Sequence, residues 1–396
     1  MGFRASPTAA ETEPERRGGL RILHILNHTH RLNGHVHAAV DLACAQAALG
    51  HHVSICSAGG SFDALLAAND VETIVLDQER RPGTVLKAIV NLIRQVRRAQ
   101  VDVVHAHMMT SALLAWPACL IAGIPLVTTV HNEFQKSSTL MGIGTRVIAV
   151  SAAVARSMAR RGVPRSRLRV VLNGTIGAAR FEGSARTPKR LASPSVLFVG
   201  GLHPRKGLMD LVAAFAIVHR SHAAAHLTVV GEGPHRVDYE AAAAAAGCAE
   251  AVTFTGALED PRAYLRGADV FVLPSHADPA PLVLSEAREA GCAIVATDVE
   301  GIPELLEGGA AGILVPPRDP ERLAAAILSL VDDPAALAAW RRNSQVNIGH
   351  MTIDRVARET LAIYAECSRA PAKDADAALP RNRAEAGLPH PLKGEV

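Results

Sequence analysis

Two carboxylates, Asp278 and Glu286, stand eight positions apart in the stretch LPSHADPAPLVLSEAREAGCAIVATDVEGIPE (273–304). A proline-rich turn holds the first, and a helix beginning near Pro281 carries the second. Asp278 then falls at the mouth of that helix and Glu286 about two turns inside it. The free N–H groups at a helix start attract an anion, and Pro281 lacks an N–H, so it suits the first helical position without wasting a donor. Leu282 and Val283 supply the first donors. The acids are left to accept hydrogen bonds from hydroxyls. An anionic ligand with a polyol attached fits this arrangement.

Cations come from VLFVGGLHPRKGLMDLVAAF (196–215). Gly200 and Gly201 end a strand, and Arg205-Lys206-Gly207 is expected to open a helix. The macrodipole disfavours positive charge there, and a bound diphosphate would remove the penalty. Lys206 is the only lysine between residues 190 and 372, in a chain that otherwise chooses arginine. VVGEGPHR (229–236) reads as a strand, a glycine turn at Gly231 and Gly233, and a helix. In VTFTGAL (252–258), Gly256 and Leu258 follow another strand. Asn33-Gly34 follows the first strand, where a backbone N–H can approach a ligand without a Cβ in the way. His131 ends the strand of LVTTVHNEF (126–134) at a cleft edge, and His105 and His107 form an H-x-H pair.

His24, His28, His30, His35, His37, His51 and His52 invite a metal reading, but their spacing is irregular and they are expected to face different sides. No metal site and no D-x-D motif is expected. Thr84–Arg98 is apolar on one face and carries Lys87, Arg94, Arg97 and Arg98, which would suit docking on anionic lipid. A net charge of +3 does not argue for a nucleic-acid partner.

These residues need elements to position them. Hydrophobic residues make up 49% of the 396 and aromatics 3%, so the core must be built from Ala, Val, Leu and Ile. The six cysteines form no C-x-x-C pair and read as buried thiols, and no window resembles a membrane span. Residues 1–18 and 368–396 read as disordered tails. Between them, short apolar runs alternate with helical ones. Strands are expected at 21–26, 52–56, 73–76, 101–105, 125–130, 147–150 and 169–172. After a Pro/Ser-rich basic linker (183–194) they resume at 196–199, 227–230, 252–255, 270–273 and 293–296. Buried strands alternating with helices imply parallel sheets wrapped on both faces. The expectation is an α/β chain of two Rossmann-like, doubly wound domains, 19–185 and 195–349, with the ligand outside the carboxyl ends of the strands.

The stretch around Asp278 and Glu286 resembles the acid-x7-acid motif of retaining glycosyltransferases of family 4, which have the GT-B fold. That pattern reads roughly E-x-F-G-L-V-x-x-E-A-x-A-x-G-x-P-V-V-A-T-x-x-G-G-x-P-E. Ala287, Gly291, Ala296, Thr297, Gly301, Pro303 and Glu304 keep it; Asp278 replaces the first Glu, and Ala280-Pro281 replaces Phe-Gly. The segment before Gly207 is similar to the family's G-R-L-x-x-x-K-G, with Gly201 at the Arg position, so Arg205 is expected to supply the missing cation.

The resemblance implies a nucleotide-diphosphate sugar, UDP- or GDP-linked, as donor. It implies a glycan, lipid-linked or small-molecule acceptor, no metal, and a final helix, about 350–367, crossing back to the first domain. It further implies that Lys206 and Arg205 grip the diphosphate, Asp278 holds sugar hydroxyls and Glu286 the ribose. His131 contacts the sugar, and Gly34, Gly201, Gly231, Gly233, Gly256, Leu258, Pro281, Leu282 and Val283 line the donor pocket. It points to bacterial polysaccharide or glycoconjugate synthesis in the cytoplasm, with peripheral contact at the inner membrane face. The departures at Gly201, Asp278 and Ala280-Pro281 leave open a weak or inactive paralogue that binds a glycan or nucleotide as a partner subunit. A sugar-nucleotide epimerase on the same fold is a further alternative.

Overall fold

The structure is a computed structural model that describes residues 19–31, 33–79, 81–183 and 187–369. The readings of residues 1–18 and of 370–396 as tails, and part of the linker, lie outside the described residues.

The first domain begins with β1 (Arg21–Ile25), α1 (Gly34–Ala48), β2 (His52–Ser57), α2 (Asp63–Ala68), β3 (Val71–Val75), α3 (Pro82–Arg98) and β4 (Val103–Ala106). It continues through α4 (Met109–Ala122), β5 (Leu126–Val130), β6 (Arg146–Ala149), α5 (Ala152–Arg160) and β7 (Leu168–Val170). These strands form a seven-stranded sheet in the order β3-β2-β1-β4-β5-β6-β7, parallel throughout. The runs RILHI, VVHA and LVTTV are buried at nearly every position, as strands covered on both faces must be.

The second domain holds β8 (Ser195–Val199), α6 (Leu208–Ser221), β9 (His226–Val230), α7 (Arg236–Ala245), β10 (Val252–Gly256), α8 (Arg262–Gly267) and β11 (Val270–Leu273). Then come α9 (Leu282–Ala290), β12 (Ala293–Thr297), α10 (Ile302–Leu305), β13 (Ile313–Val315), α11 (Pro320–Val331) and α12 (Pro334–Ser344). Its sheet has six parallel strands in the order β10-β9-β8-β11-β12-β13. Each sheet reverses its winding at a switch point, β1/β4 in one and β8/β11 in the other, where a ligand crevice forms.

The last helix, α13 (Ile353–Arg369), packs on α1. Its Tyr364 is 1% exposed within the first domain's core, and its Glu366 accepts from Arg146 and Arg169. The fold is α/β, two parallel-sheet domains facing across a cleft, as the alternation of strands and helices implied.

Candidate active site

The cleft between the two sheets holds a cavity of about 410 Å³. From the first domain, Gly34 and His131 line it, at the carboxyl ends of β1 and β5. From the second, Gly201, Arg205, Lys206, Gly231, Leu258, Asp278, Pro281, Leu282, Val283 and Glu286 line it. Gly233 and Gly256 do not. Gly233 lies against the Leu202 carbonyl, and Gly256 accepts the Gly231 N–H at 2.9 Å, so both shape the turn beneath the cavity wall. Gly231 itself has φ +146°, and a Cβ there would sit 1.9 Å from the Gly200 carbonyl oxygen. No other residue fits that turn.

Two helix N-termini open onto the cavity from opposite domains. α1 begins at Gly34 after Asn33, and α9 begins at Leu282 after Pro281; among the described residues no side chain caps either. A Cβ on Gly34 would meet none of the described residues within 4 Å. Pro281 occupies the capping position (φ −68°, ψ 122°) rather than the first helical one, because its ψ is still extended. Uncapped N–H groups aimed into one cavity form an anion site.

Lys206 Nζ donates to Asp278 Oδ2 at 2.5 Å, with side chains 13% and 7% exposed. Ser275 Oγ donates to the same oxygen at 3.3 Å. Asp278 is thus paired with the cation that the sequence set apart for the diphosphate. An ammonium has three donors, so two remain. Arg205 and Lys206 do not open a helix. They lie in a 3-10 turn (Pro204–Lys206), Gly207 follows with φ +68°, and α6 starts at Leu208. The macrodipole argument for these cations therefore fails, and α6 carries Asp210 in its first turn instead. A Cβ on Gly207 would meet the Pro274 carbonyl oxygen at 1.8 Å, which fixes glycine there. Arg205 is exposed at the lip, its guanidinium 5.1 Å from the centre of the Phe134 ring across the cleft.

Glu286 is not free either. Its Oε1 accepts from Arg180 Nη2 at 2.9 Å, and Arg180 Nε reaches Asp41 Oδ2, also at 2.9 Å. Arg180 and Asp41 are residues the sequence reading missed: no local pattern marks Arg180, which lies 106 positions from its partner Glu286. Burial pushes Asp41 up to about 6 against the opposing pull of Arg180. A second missed group is Glu300, held at φ +47° in the loop after β12. Burial, then the charges of Glu133 and Asp278, push it up to about 7. One carboxylate oxygen of Glu133 and one of Glu300 are buried without a hydrogen-bond partner among the described residues.

The histidines do not scatter as expected. His24, His105, His107 and His131 form one cluster. Nitrogens of the first three lie within 4.8 Å of one another, the spacing of a metal ligand set. All six nitrogens of those three rings are engaged in hydrogen bonds, so a metal would have to displace some of them. Period-2 geometry puts His105 and His107 on one side of β4, and His24 pairs in register with His105. His28, His30 and His35 sit near the cleft, with His35 6.2 Å from His131 ring to ring. His51 is elsewhere, accepting from the Leu20 N–H.

The lipid-docking reading of α3 also needs correction. Its apolar face (Ala88, Leu92, Val96) is buried in the core, leaving Lys87, Arg94, Arg97 and Arg98 exposed. An exposed apolar stripe lies instead on the neighbouring α4, at Leu113, Trp116 and Leu120.

Two family profiles match the chain: Glycosyltransferase Family 4 over residues 32–175 and Glycosyl transferases group 1 over residues 193–333. The chain is 32% identical over 295 residues to a glycogen synthase of Mycobacterium tuberculosis (strain CDC 1551 / Oshkosh), covering 68% of this chain and 69% of that protein. It is 26% identical over 330 residues to a D-inositol 3-phosphate glycosyltransferase of Thermobispora bispora, covering 74% and 77%. Among solved structures, HepE from Anabaena in complex with UDP superposes with a TM-score of 0.73 at 20% identity, over 88% of this chain and 100% of that one. Sucrose-phosphate synthase from Thermosynechococcus elongatus gives 0.71 at 22% identity, over 88% and 98%. With its two profile matches in order along a pair of facing parallel-sheet domains, the chain belongs to glycosyltransferase family 4 and is a glycosyltransferase of the GT-B fold.

Proposed function

We propose that this enzyme moves a sugar from a UDP- or GDP-sugar, with retention of anomeric configuration, to a glycan, lipid-linked or small-molecule acceptor in bacterial polysaccharide or glycoconjugate synthesis. One observation carries the reading: two uncapped helix N-termini and Lys206 converge on a single cavity between the domains. That is an anion site of the size and charge a diphosphate needs. The UDP bound in the HepE structure supports the same donor class.

In the proposed reaction the C1–O bond to the diphosphate breaks and the leaving oxygen keeps the electron pair, while the acceptor hydroxyl oxygen forms the new bond to C1 on the same face and its proton passes to the leaving phosphate oxygen. Lys206, Arg205 and the N–H groups of Leu282 and Val283 stabilise that charge, so no metal is needed. Asp278 and the second carboxylate oxygen of Glu286 accept sugar and ribose hydroxyls. His131 faces the sugar from the other domain, so transfer requires a closed cleft. His131 and Asn132 also line a smaller cavity of about 70 Å³ with Gln135 and Ser137, which we assign to the acceptor side. The exposed stripe of α4 beside the cations of α3 suits peripheral contact with an anionic membrane, at the cytoplasmic face.

Thermal stabilisation by a panel of nucleotide sugars tests the donor class. A ligand at 100 times its Kd should stabilise by about 2.7 kcal/mol, and a panel of UDP- and GDP-sugars without one stabilising member would refute the reading. The anomeric configuration of the product, read by NMR, decides retention.

A further inference from the structure

Behind His131 runs a line of hydrogen-bonded rings that the transfer chemistry above leaves unused. His131 Nε2 faces His107 Nδ1 at 3.1 Å. His107 Nε2 faces His24 Nδ1 at 2.9 Å. His24 Nε2 faces the Gln46 amide oxygen at 2.8 Å. The rings are stacked, with centroids 5.2 Å apart for His24 and His107 and 5.4 Å for His107 and His131. The line crosses the sheet from β1 through β4 to β5, starts on α1 and ends at the cleft.

A neutral imidazole has one N–H and one lone pair, so a direction set at one end propagates to the other. Gln46 sets it. Its amide nitrogen donates to the Tyr364 hydroxyl at 3.4 Å, and its oxygen faces His24. That hydroxyl is anchored in turn: it meets His105 Nδ1 at 2.7 Å, and His105 Nε2 meets Thr129 Oγ1 at 2.6 Å. An amide oxygen only accepts. His24 therefore donates from Nε2 and accepts at Nδ1, His107 does the same, and His131 donates from Nε2 and is left with a bare Nδ1. The rings are neutral. Burial pushes His24 down to about 4 and His131 to about 3, and it holds His105 and His107 well below the usual histidine range, with neighbouring histidines adding to the effect. Apolar side chains would fill this core without the desolvation that buried imidazoles bring, so packing alone does not account for the choice.

We propose that His107, His24 and Gln46 are positioning residues that hold His131 as its Nε2–H tautomer, so that Nδ1 presents a hydrogen-bond acceptor, never a donor, to a hydroxyl in the cleft. Tyr364, from α13, accepts from the amide that sets the direction. The proposal rests on the reading of His131 as a sugar-facing residue.

The full-length protein labelled with 15N-histidine tests it without substrate. Long-range 1H–15N correlations should show His131 Nδ1 unprotonated and Nε2 protonated in the wild type. In Gln46→Met, which removes the accepting oxygen three hydrogen bonds away, the His131 nitrogens should move toward a mixture of tautomers. kcat should fall about tenfold, the worth of one hydrogen bond, with donor KM little changed. Gln46→Glu keeps an accepting oxygen and should restore the tautomer. A wild-type His131 protonated at Nδ1 overturns the relay, and that spectrum needs no variant to fold. A single unchanged tautomer in Gln46→Met overturns the role of Gln46. Mixed tautomers with unchanged kcat overturn instead the contact of His131 with substrate, so the two failures are distinguishable.

Discussion

Lys206 and Asp278 are joined at 2.5 Å, and that pair decides what each can contribute. Asp278 holds the ammonium against the cavity wall, and the two remaining donors of Lys206 are available for a phosphate. Lys206→Ala should lower kcat on the order of 10²–10³-fold, the usual loss for one donor aimed at a developing negative charge, as measured by nucleotide release. Arg205→Ala should lower kcat/KM for the donor about tenfold; an unchanged value would remove Arg205 from the site. Glu300 offers a pH test. Its folded pKa of about 7 exceeds its ordinary 4.5, so the folded state binds that proton more tightly. Its contribution to stability is complete below about 4.5 and is lost as the pH rises through 7. Glu300→Gln should therefore raise Tm relative to the wild type above pH 7 and match it near pH 4. At this scale the sequence showed residue types but not partners. The acids, the lone lysine and the strand-end histidine were legible from type and position. The Lys206–Asp278 and Arg180–Glu286 pairs, 72 and 106 positions apart, were not, because no local spacing encodes them.

Parallel strands buried on both faces leave a strong trace, continuous short apolar runs, and this is why the alternation of strand and helix could be read along most of the chain. Short or half-exposed elements leave little: α2 has six residues and β13 three, and neither was anticipated. The turn at Pro204–Lys206 does not open a helix because Gly207 takes the left-handed conformation (φ +68°) between it and α6, a break that glycine permits but that residue type alone does not announce. On α3 the amphipathic pattern was legible, but its apolar side faces the core, and the exposed stripe belongs to α4. Trp116→Glu with Leu120→Glu should abolish co-sedimentation with anionic vesicles while leaving donor hydrolysis unchanged. Equal vesicle binding by that variant would rule out α4 as the docking surface.

The two domains meet through contacts that the motif residues themselves make. Asn173 Nδ2 donates to the Ala280 carbonyl at 2.8 Å, and the Thr175 N–H donates to Ser285 Oγ at 3.1 Å. Glu304, the last residue of the G-x-P-E signature, accepts from the Ala152 N–H at 2.8 Å and so caps α5 of the opposite domain. Its place in the motif was legible; its reach across the cleft was not, since a cap from 152 positions away is a property of the assembled molecule. Glu304→Ala should reduce stability by about 1 kcal/mol, the worth of an acid at a helix N-terminus, measured by denaturant unfolding. On the function proposed above, a nucleotide sugar is bound between the domains, and protein cations without a metal take the charge of its leaving diphosphate. Nucleotide release from UDP- and GDP-sugars in the presence of EDTA, compared between wild type and Lys206→Ala, tests it most directly. The wild type is expected to release nucleotide undiminished by EDTA, and the variant to fall about 10²–10³-fold; release that stops in EDTA, or survives unchanged in Lys206→Ala, would overturn charge stabilisation by Lys206 without a metal.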